Sequence, residues 1–211
     1  MLEERSPKNL QQILSQYCTP TEALTEDFVK SAKLFHFKKE EPIVKQGEVC
    51  NHFVLNRTGL FRVSHLNNNV EDTLLFGTAG DVFTSLHSYY AGEPSIFTLS
   101  AVEDSEGWLI SYEDMRRMQA MHPSLVQWMN ALMIEQMYGF EKRYLFFTNK
   151  SAEERLQNFL SIHSVTLRRA SVKYIWRIVP LKYIAQYLKI TQSTLSRVRK
   201  RLITGQNQIS E

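Results

Sequence analysis

Apolar positions along the chain follow three successive patterns: helical, then strand-like, then helical again. Two short helices are expected first. Ser6-Pro7 stands ahead of Leu10, Ile13 and Leu14, and Thr19-Pro20-Thr21-Glu22 ahead of Leu24, Phe28 and Val29. The second start reads as a capping box with proline at the first helical position. From Leu34 to Ile110 the pattern changes to short runs rich in Phe, Val, Ile, Leu and Thr, separated by Gly, Asn, Asp and Glu. Such runs predict strands at Leu34–Phe37, Ile43–Lys45, Phe53–Arg57, Leu60–His65, Asp72–Gly77, Val82–Leu86, Ser95–Val102 and Gly107–Ser111, with Asn67-Asn68-Asn69 at a hairpin tip. A jelly-roll-like barrel accommodates them. No strand alternates with a long helix and no glycine-rich phosphate loop occurs, which disfavours a doubly wound sheet.

Ser111 and Asp114 start a short helix, and Pro123 restarts it into a run that continues past Gly139 to about Asn149. Val126, Met129, Met133, Met137, Phe140, Tyr144 and Phe147 recur along it at intervals of three and four, while Leu125 and Leu132 mark a second apolar side. A helix with two apolar sides has two partners to satisfy. One side is expected on the β domain and the other on a second copy, making this a dimerisation spine with its methionines as seam filler.

Ser151 and Glu154 form another capping box, ahead of Leu156, Phe159, Leu160 and Ile162, which puts the linker near Thr148–Lys150. Tyr174–Val179 reads as β-prone. After Pro180, the stretch Leu181–Leu202 has one apolar face of Leu181, Ile184, Ala185 and Leu188 and another of Leu195, Val198 and Leu202. Small Ala185 lets two helices cross closely, Leu188-Lys189-Ile190 makes a three-residue turn, and Thr191 is placed to cap the second helix. That is a helix-turn-helix. Its outward face carries Gln192, Ser193, Ser196, Arg197 and Lys200 with no acid. Base reading is expected to centre on Gln192, Ser193 and Arg197, and phosphate contact on Thr191, Lys189, Lys182 and Arg201.

Charge divides the chain at the same place. Residues 1–149 carry 13 Lys/Arg against 19 Asp/Glu, a balance of −6, whereas residues 150–211 carry 12 against 3, or +9. The basic segment has the electrostatic footprint of a nucleic-acid-binding module. Cys18 and Cys50 are two cysteines without a CxxC pair, so neither a disulfide framework nor a metal cluster is expected, and no cofactor is assigned. No leader pattern or membrane span is visible, and a soluble, cytoplasmic protein is expected. His36, His52, His65 and His87 show no metal-ligand spacing, and no nucleophile elbow or carboxylate pairing is recognisable, so no enzyme is expected.

Three local features carry a family likeness: Gly80-Asp81, Ile110-Ser111-Tyr112 before the spine, and Ile184-Ala185 through Leu195-Ser196-Arg197-Val198. Through them and the order of its parts, the chain resembles the Crp/Fnr superfamily of transcription regulators over nearly its whole length. The resemblance implies an α+β chain. Residues 1–120 would form a double-stranded β-helix or jelly-roll-like sensor domain, residues 121–149 a dimerisation helix, and residues 150–211 a helix-turn-helix domain. It implies double-stranded, palindromic DNA, a second copy of the chain and RNA polymerase as partners. Members that bind cyclic nucleotides hold a Gly-Glu pair for the ribose and an Arg-Ser or Arg-Ala pair for the cyclic phosphate. Here an ungapped reading from Gly80-Asp81 puts Thr84-Ser85 and Ser95-Ile96 at those positions, and Phe140 and Glu141 where the spine would meet the base. These six residues make a degenerate effector pocket with no cation for a phosphate, so response to cyclic AMP is not expected and any effector is unassigned. Two cysteines cannot hold an iron–sulfur cluster, and the lone His87 is no basis for haem. After Ile203 only TGQNQISE remains, so the β-hairpin wing usual in the family is expected to be truncated or missing. The functional expectation is a homodimeric, sequence-specific DNA-binding regulator. The alternative is a ligand- or partner-binding module that keeps the fold without reading DNA.

Overall fold

The computed structural model describes residues 7–148, 150–166 and 172–207; Ser6, Asn149 and residues 208–211, which figure in the expectations above, lie outside it. By compactness the chain divides into two units, one of residues 1–65 and 76–138, the other of residues 66–75 and 139–211.

In the first unit, α1 (Pro7–Ser15) and α2 (Glu22–Ser31) precede the strands. Thr21, not Thr19, caps α2: its side chain accepts from the Leu24 amide at 3.2 Å, so Pro20 stands outside the helix. Eight strands follow, as the short apolar runs implied: β1 (Lys33–Phe37), β2 (Pro42–Val44), β3 (His52–Thr58), β4 (Phe61–Asn67), β5 (Val70–Gly77), β6 (Val82–Phe83), β7 (Thr98–Ala101) and β8 (Ser105–Ser111), with residues 66–75 of the β4–β5 hairpin counted in the second unit. They form two four-stranded sheets in the orders β1-β8-β3-β6 and β2-β7-β4-β5. Two expected strands are shorter than predicted. β6 stops at Phe83, and Thr84–Leu86 leads into a π-helical turn, His87–Ala91; β7 starts only at Thr98. Ser85 and Ser95 engage their hydroxyls in local hydrogen bonds there, which competes with a sheet ladder, while the Thr84 hydroxyl reaches the His52 carbonyl. The β4–β5 tip is a two-residue turn in which Asn68 (φ 47°) and Asn69 (φ 63°) both take the left-handed conformation that suits a twisted hairpin. Gly59 is required where it stands: φ is 84°, and a Cβ there would lie 2.1 Å from the Ser105 hydroxyl oxygen.

Phe53, Leu55, Phe61, Leu99, Trp108 and Ile110 are fully buried in the barrel. Ser111 caps α3 (Tyr112–Met121), accepting from the Asp114 amide at 3.0 Å, and Pro123 opens α4 (Pro123–Phe147). The first half of α4 shows two sides. Leu125, Trp128, Met129 and Leu132 are buried; Trp128 donates to the Ile13 carbonyl at 3.2 Å and meets Tyr17 and Phe28 edge-on. Met129, grouped by spacing with the outer seam, belongs to this buried side. Val126, Ile134, Met137 and Tyr138 are exposed.

The second unit contains α5 (Ala152–Thr166), α6 (Val172–Ile178), α7 (Leu181–Leu188) and α8 (Gln192–Asn207). The α5 cap forms as spacing predicts. Glu154 donates its amide to the Ser151 hydroxyl at 3.2 Å, and Ser151 returns its amide to the Glu154 carboxylate at 2.8 Å. The Ser151 amide first, and the Ser151 hydroxyl after it, hold the Glu154 carboxyl below its usual range. The expected strand over Tyr174–Val179 is instead α6, with Ile175 and Val179 buried; one apolar pair four apart fits a helical turn better than strand alternation.

Replacing Trp128 with alanine removes the largest buried side chain of α4 and its hydrogen bond. The expected loss of stability is about 3–5 kcal/mol, read as a fall in the urea midpoint at unchanged slope.

Candidate nucleic-acid interface

The helix-turn-helix is assembled from α5, α7 and α8. Leu156 and Phe159 of α5, Ile184, Ala185, Tyr187 and Leu188 of α7, and Leu195 and Val198 of α8 are all buried, so the two predicted apolar faces do face inward. Phe159 packs against Tyr187 with ring centroids 5.3 Å apart. α7 ends in a Schellman arrangement: Ile190 donates to the Ala185 carbonyl and Lys189 to that of Gln186, each at 3.1 Å. Lys189 occupies the left-handed position (φ 56°, ψ 44°) where glycine is usual. The chain then reverses into α8, where Thr191 accepts from the Thr194 amide at 3.2 Å and caps the helix.

This turn is braced from α5. Arg155 donates through Nη1 to the Leu188 carbonyl at 3.2 Å and the Lys189 carbonyl at 3.5 Å, while its Nε holds the Lys150 carbonyl at 3.1 Å. One guanidinium thus fixes both carbonyls at the end of α7, which otherwise lack helical partners. Spacing alone gives no sign of this role.

With Leu195 and Val198 inward, Gln192, Ser193, Ser196, Arg197 and Lys200 are exposed together, as are Thr191, Lys182, Lys189 and Arg201. Arg197 is steadied by a 3.2 Å bond from Nη2 to the Thr194 hydroxyl. Arg199 does not join the face: its guanidinium stacks on the Trp176 ring of α6, 4.4 Å from the centroid. The interface therefore offers planar hydrogen-bonding groups at Gln192 and Arg197, flanked by hydroxyls and ammonium groups, and the exposed face of α8 itself carries no carboxylate.

The cassette between β6 and β7 is the second place the sequence marks. Gly80 (φ 95°) and Asp81 make its entrance, where Asp81 accepts the Thr78 amide at 2.6 Å. Thr84 shares a 2.7 Å hydrogen bond with the Tyr112 hydroxyl; fully buried Ser85 accepts from the Ser88 amide at 3.3 Å and the Ser88 hydroxyl at 3.2 Å. Ser95 donates to the Phe97 carbonyl at 2.8 Å. Tyr89 fills the space beside them, edge-on to Phe53 and Tyr112, with Arg116 over its ring at 5.0 Å and donating to its carbonyl at 2.6 Å. Ile96 points to solvent, and Phe140 and Glu141, on the part of α4 in the second unit, are exposed. His87 lies 3.5 Å from Glu93, and among the described residues no cluster of His, Cys, Asp and Glu could hold a metal ion. Nor is any described helix long and apolar enough to cross a membrane.

Known structures share this arrangement. Residues 34–122 match the family model of the cyclic nucleotide-binding domain. FixK2 from Bradyrhizobium japonicum superposes with a TM-score of 0.70 at 22% identity, covering 82% of this chain and 85% of that one. The chain has the fold of the Crp/Fnr regulators. CLP from Xanthomonas campestris, described as a c-di-GMP-responsive global regulator, shares the Crp/Fnr fold with a TM-score of 0.69 at 12% identity over 88% of this chain and 93% of its own. A CooA mutant from Carboxydothermus hydrogenoformans gives 0.66 at 18% identity over 93% and 84%. No curated protein sequence matches the chain.

Burial raises the Asp81 carboxyl at the cassette entrance to about 6, with the Glu135 charge adding and the Thr78 amide opposing. The folded protein therefore holds a proton that the unfolded chain has released above its ordinary 3.8. This contribution to stability is present below about pH 4 and lost as pH rises through about 6. Asp81→Asn is expected to remove that decline: the variant's unfolding midpoint, measured from pH 4 to 7, rises relative to wild type across the window and is level above it.

Proposed function

We propose that the chain is a homodimeric, sequence-specific DNA-binding transcription regulator that does not respond to cyclic AMP. The observation that carries this reading is the exposed, acid-free face of α8, with Gln192, Ser193 and Arg197 for base edges and Ser196 and Lys200 beside them. Arg and Gln make bidentate contacts to guanine and adenine edges in the major groove. Thr191, Lys182, Lys189 and Arg201 surround them as phosphate contacts that set position without reading sequence. Two such helices related by a two-fold axis read half-sites about one helical turn apart, hence a palindrome. We propose RNA polymerase as a further partner.

The second copy is supported by α4, whose exposed Ile134, Met137, Tyr138, Phe140, Tyr144 and Leu145 leave a long apolar strip uncovered. Insensitivity to cyclic AMP is supported by the cassette. Thr84, Ser85 and Ser95 stand where the ribose acceptor and phosphate cation would be; their hydroxyls are engaged within the fold, and Tyr89 takes up the adjoining volume. A phosphate placed there would find no cation among the cassette residues 80–97 themselves.

Selection from random duplex DNA at stated salt is expected to return a palindrome that cyclic AMP leaves unchanged. Arg197→Ala should relax one position in each half-site and weaken binding by about 1–3 kcal/mol. Weak, sequence-blind binding by both proteins would instead favour a ligand- or partner-binding module. Met137→Glu sets a charge in the apolar strip, and sedimentation is expected to show a monomer where wild type is a dimer, with a parallel loss of DNA affinity.

A further inference from the structure

Residues 66–75, the tip of the β4–β5 hairpin and the start of β5, belong to the same compact unit as the helix-turn-helix. Two adjacent residues of this segment touch the motif at its turn. The Asp72 carboxylate lies 2.6 Å from the Lys189 ammonium, and the Thr73 hydroxyl donates to the Gln186 side-chain oxygen at 2.9 Å. Lys189 is also the residue that adopts a left-handed backbone conformation where a glycine would carry no steric penalty. A non-glycine residue kept at such a position points to a use for its side chain. Lys189 is expected to have that use at a DNA phosphate, and in this structure an internal carboxylate holds it.

We propose that Asp72 and Thr73 form a clasp on the turn of the reading motif that competes with DNA for Lys189, so that tight binding requires the clasp to open. The proposal rests on the DNA-reading assignment made above and adds a means of regulating it. A carboxylate stands in for the phosphate oxygen as partner of the same ammonium group, at the same kind of charge-assisted distance. The closed arrangement lowers apparent affinity by the fraction of molecules in which Lys189 is free to turn outward. Anything that displaces the β4–β5 tip raises affinity without touching the reading face. The Lys189 and Asp72 side chains are 42% and 41% exposed, so water screens the pair and the expected effect is modest.

The test compares full-length wild type with Asp72→Asn, Thr73→Val and Glu26→Gln for binding to the selected duplex and to a scrambled duplex of equal length. Glu26→Gln removes the same charge from exposed α2 and controls for net charge. Asp72→Asn is expected to bind the selected duplex about two- to fivefold tighter, Thr73→Val to move the same way by less, and Glu26→Gln to match wild type. In a Lys189→Gln background the gain from Asp72→Asn disappears. Equal affinity of Asp72→Asn and Glu26→Gln, or a gain that persists without Lys189, overturns the clasp while leaving DNA reading intact. If wild type and every variant fail to prefer the selected duplex over the scrambled one, the DNA reading itself falls, and the clasp with it.

Discussion

The geometry of the exposed face of α8 depends on how the chain reverses between α7 and α8. Two helices can present a common outer surface only if the turn between them is fixed in length and twist, and here it is three residues long with one residue left-handed. The Schellman bonds satisfy the carbonyls of Ala185 and Gln186, and Arg155 satisfies those of Leu188 and Lys189 from a separate helix. Close crossing at Ala185 and the Thr191 cap then set the rotation of α8 about its axis. Had that rotation differed by one residue, about 100°, Gln192, Ser193 and Arg197 would turn together off the outer face.

Features governed by local chemistry were legible in the sequence. The Ser151–Glu154 box, the Ser111 and Thr191 caps, the asparagine turn and the inward faces of α7 and α8 follow from short-range hydrogen bonding or from a helical period long enough to be unambiguous. Legibility failed where local signals competed. Tyr174–Val179 offers aromatic and β-branched residues to a strand, yet over so short a run the buried pair Ile175 and Val179 decides for a helix. Thr19 and Thr21 are both possible caps, and only geometry chooses the second. Met129 falls into the outer series by spacing but turns inward beside Trp128, because three- and four-residue intervals leave a boundary residue free to join either stripe. At the candidate site, exposure of the reading residues was foreseeable, whereas the Arg155 brace, the Asp72 contact with Lys189 and the withdrawal of Arg199 were not. Each joins residues distant in the chain, and no periodicity encodes such a pairing.

Between β6 and β7 the polar side chains are engaged within the fold. Charged groups that would bind an anion are costly to bury unpaired, so a pocket without its ligand must fill or remodel. Here Thr84, Ser85 and Ser95 engage their hydroxyls within the fold, and Tyr89 packs edge-on to Phe53 and Tyr112 beside them. At the entrance the Gly80 amide and the Asp81 carbonyl both bond to Asn56 on β3, at 2.8 and 2.9 Å.

The stacking of Arg199 on Trp176 also gives the molecule an internal optical reporter. Of its three tryptophans, Trp108 and Trp128 lie in the first unit and only Trp176 in the second. Trp176 is partly exposed under a cationic plane on the helix that carries the reading face, whereas the other two are shielded from solvent. Emission from that one indole therefore follows the environment of α8 without a label, and the buried pair supplies a steady background from the barrel.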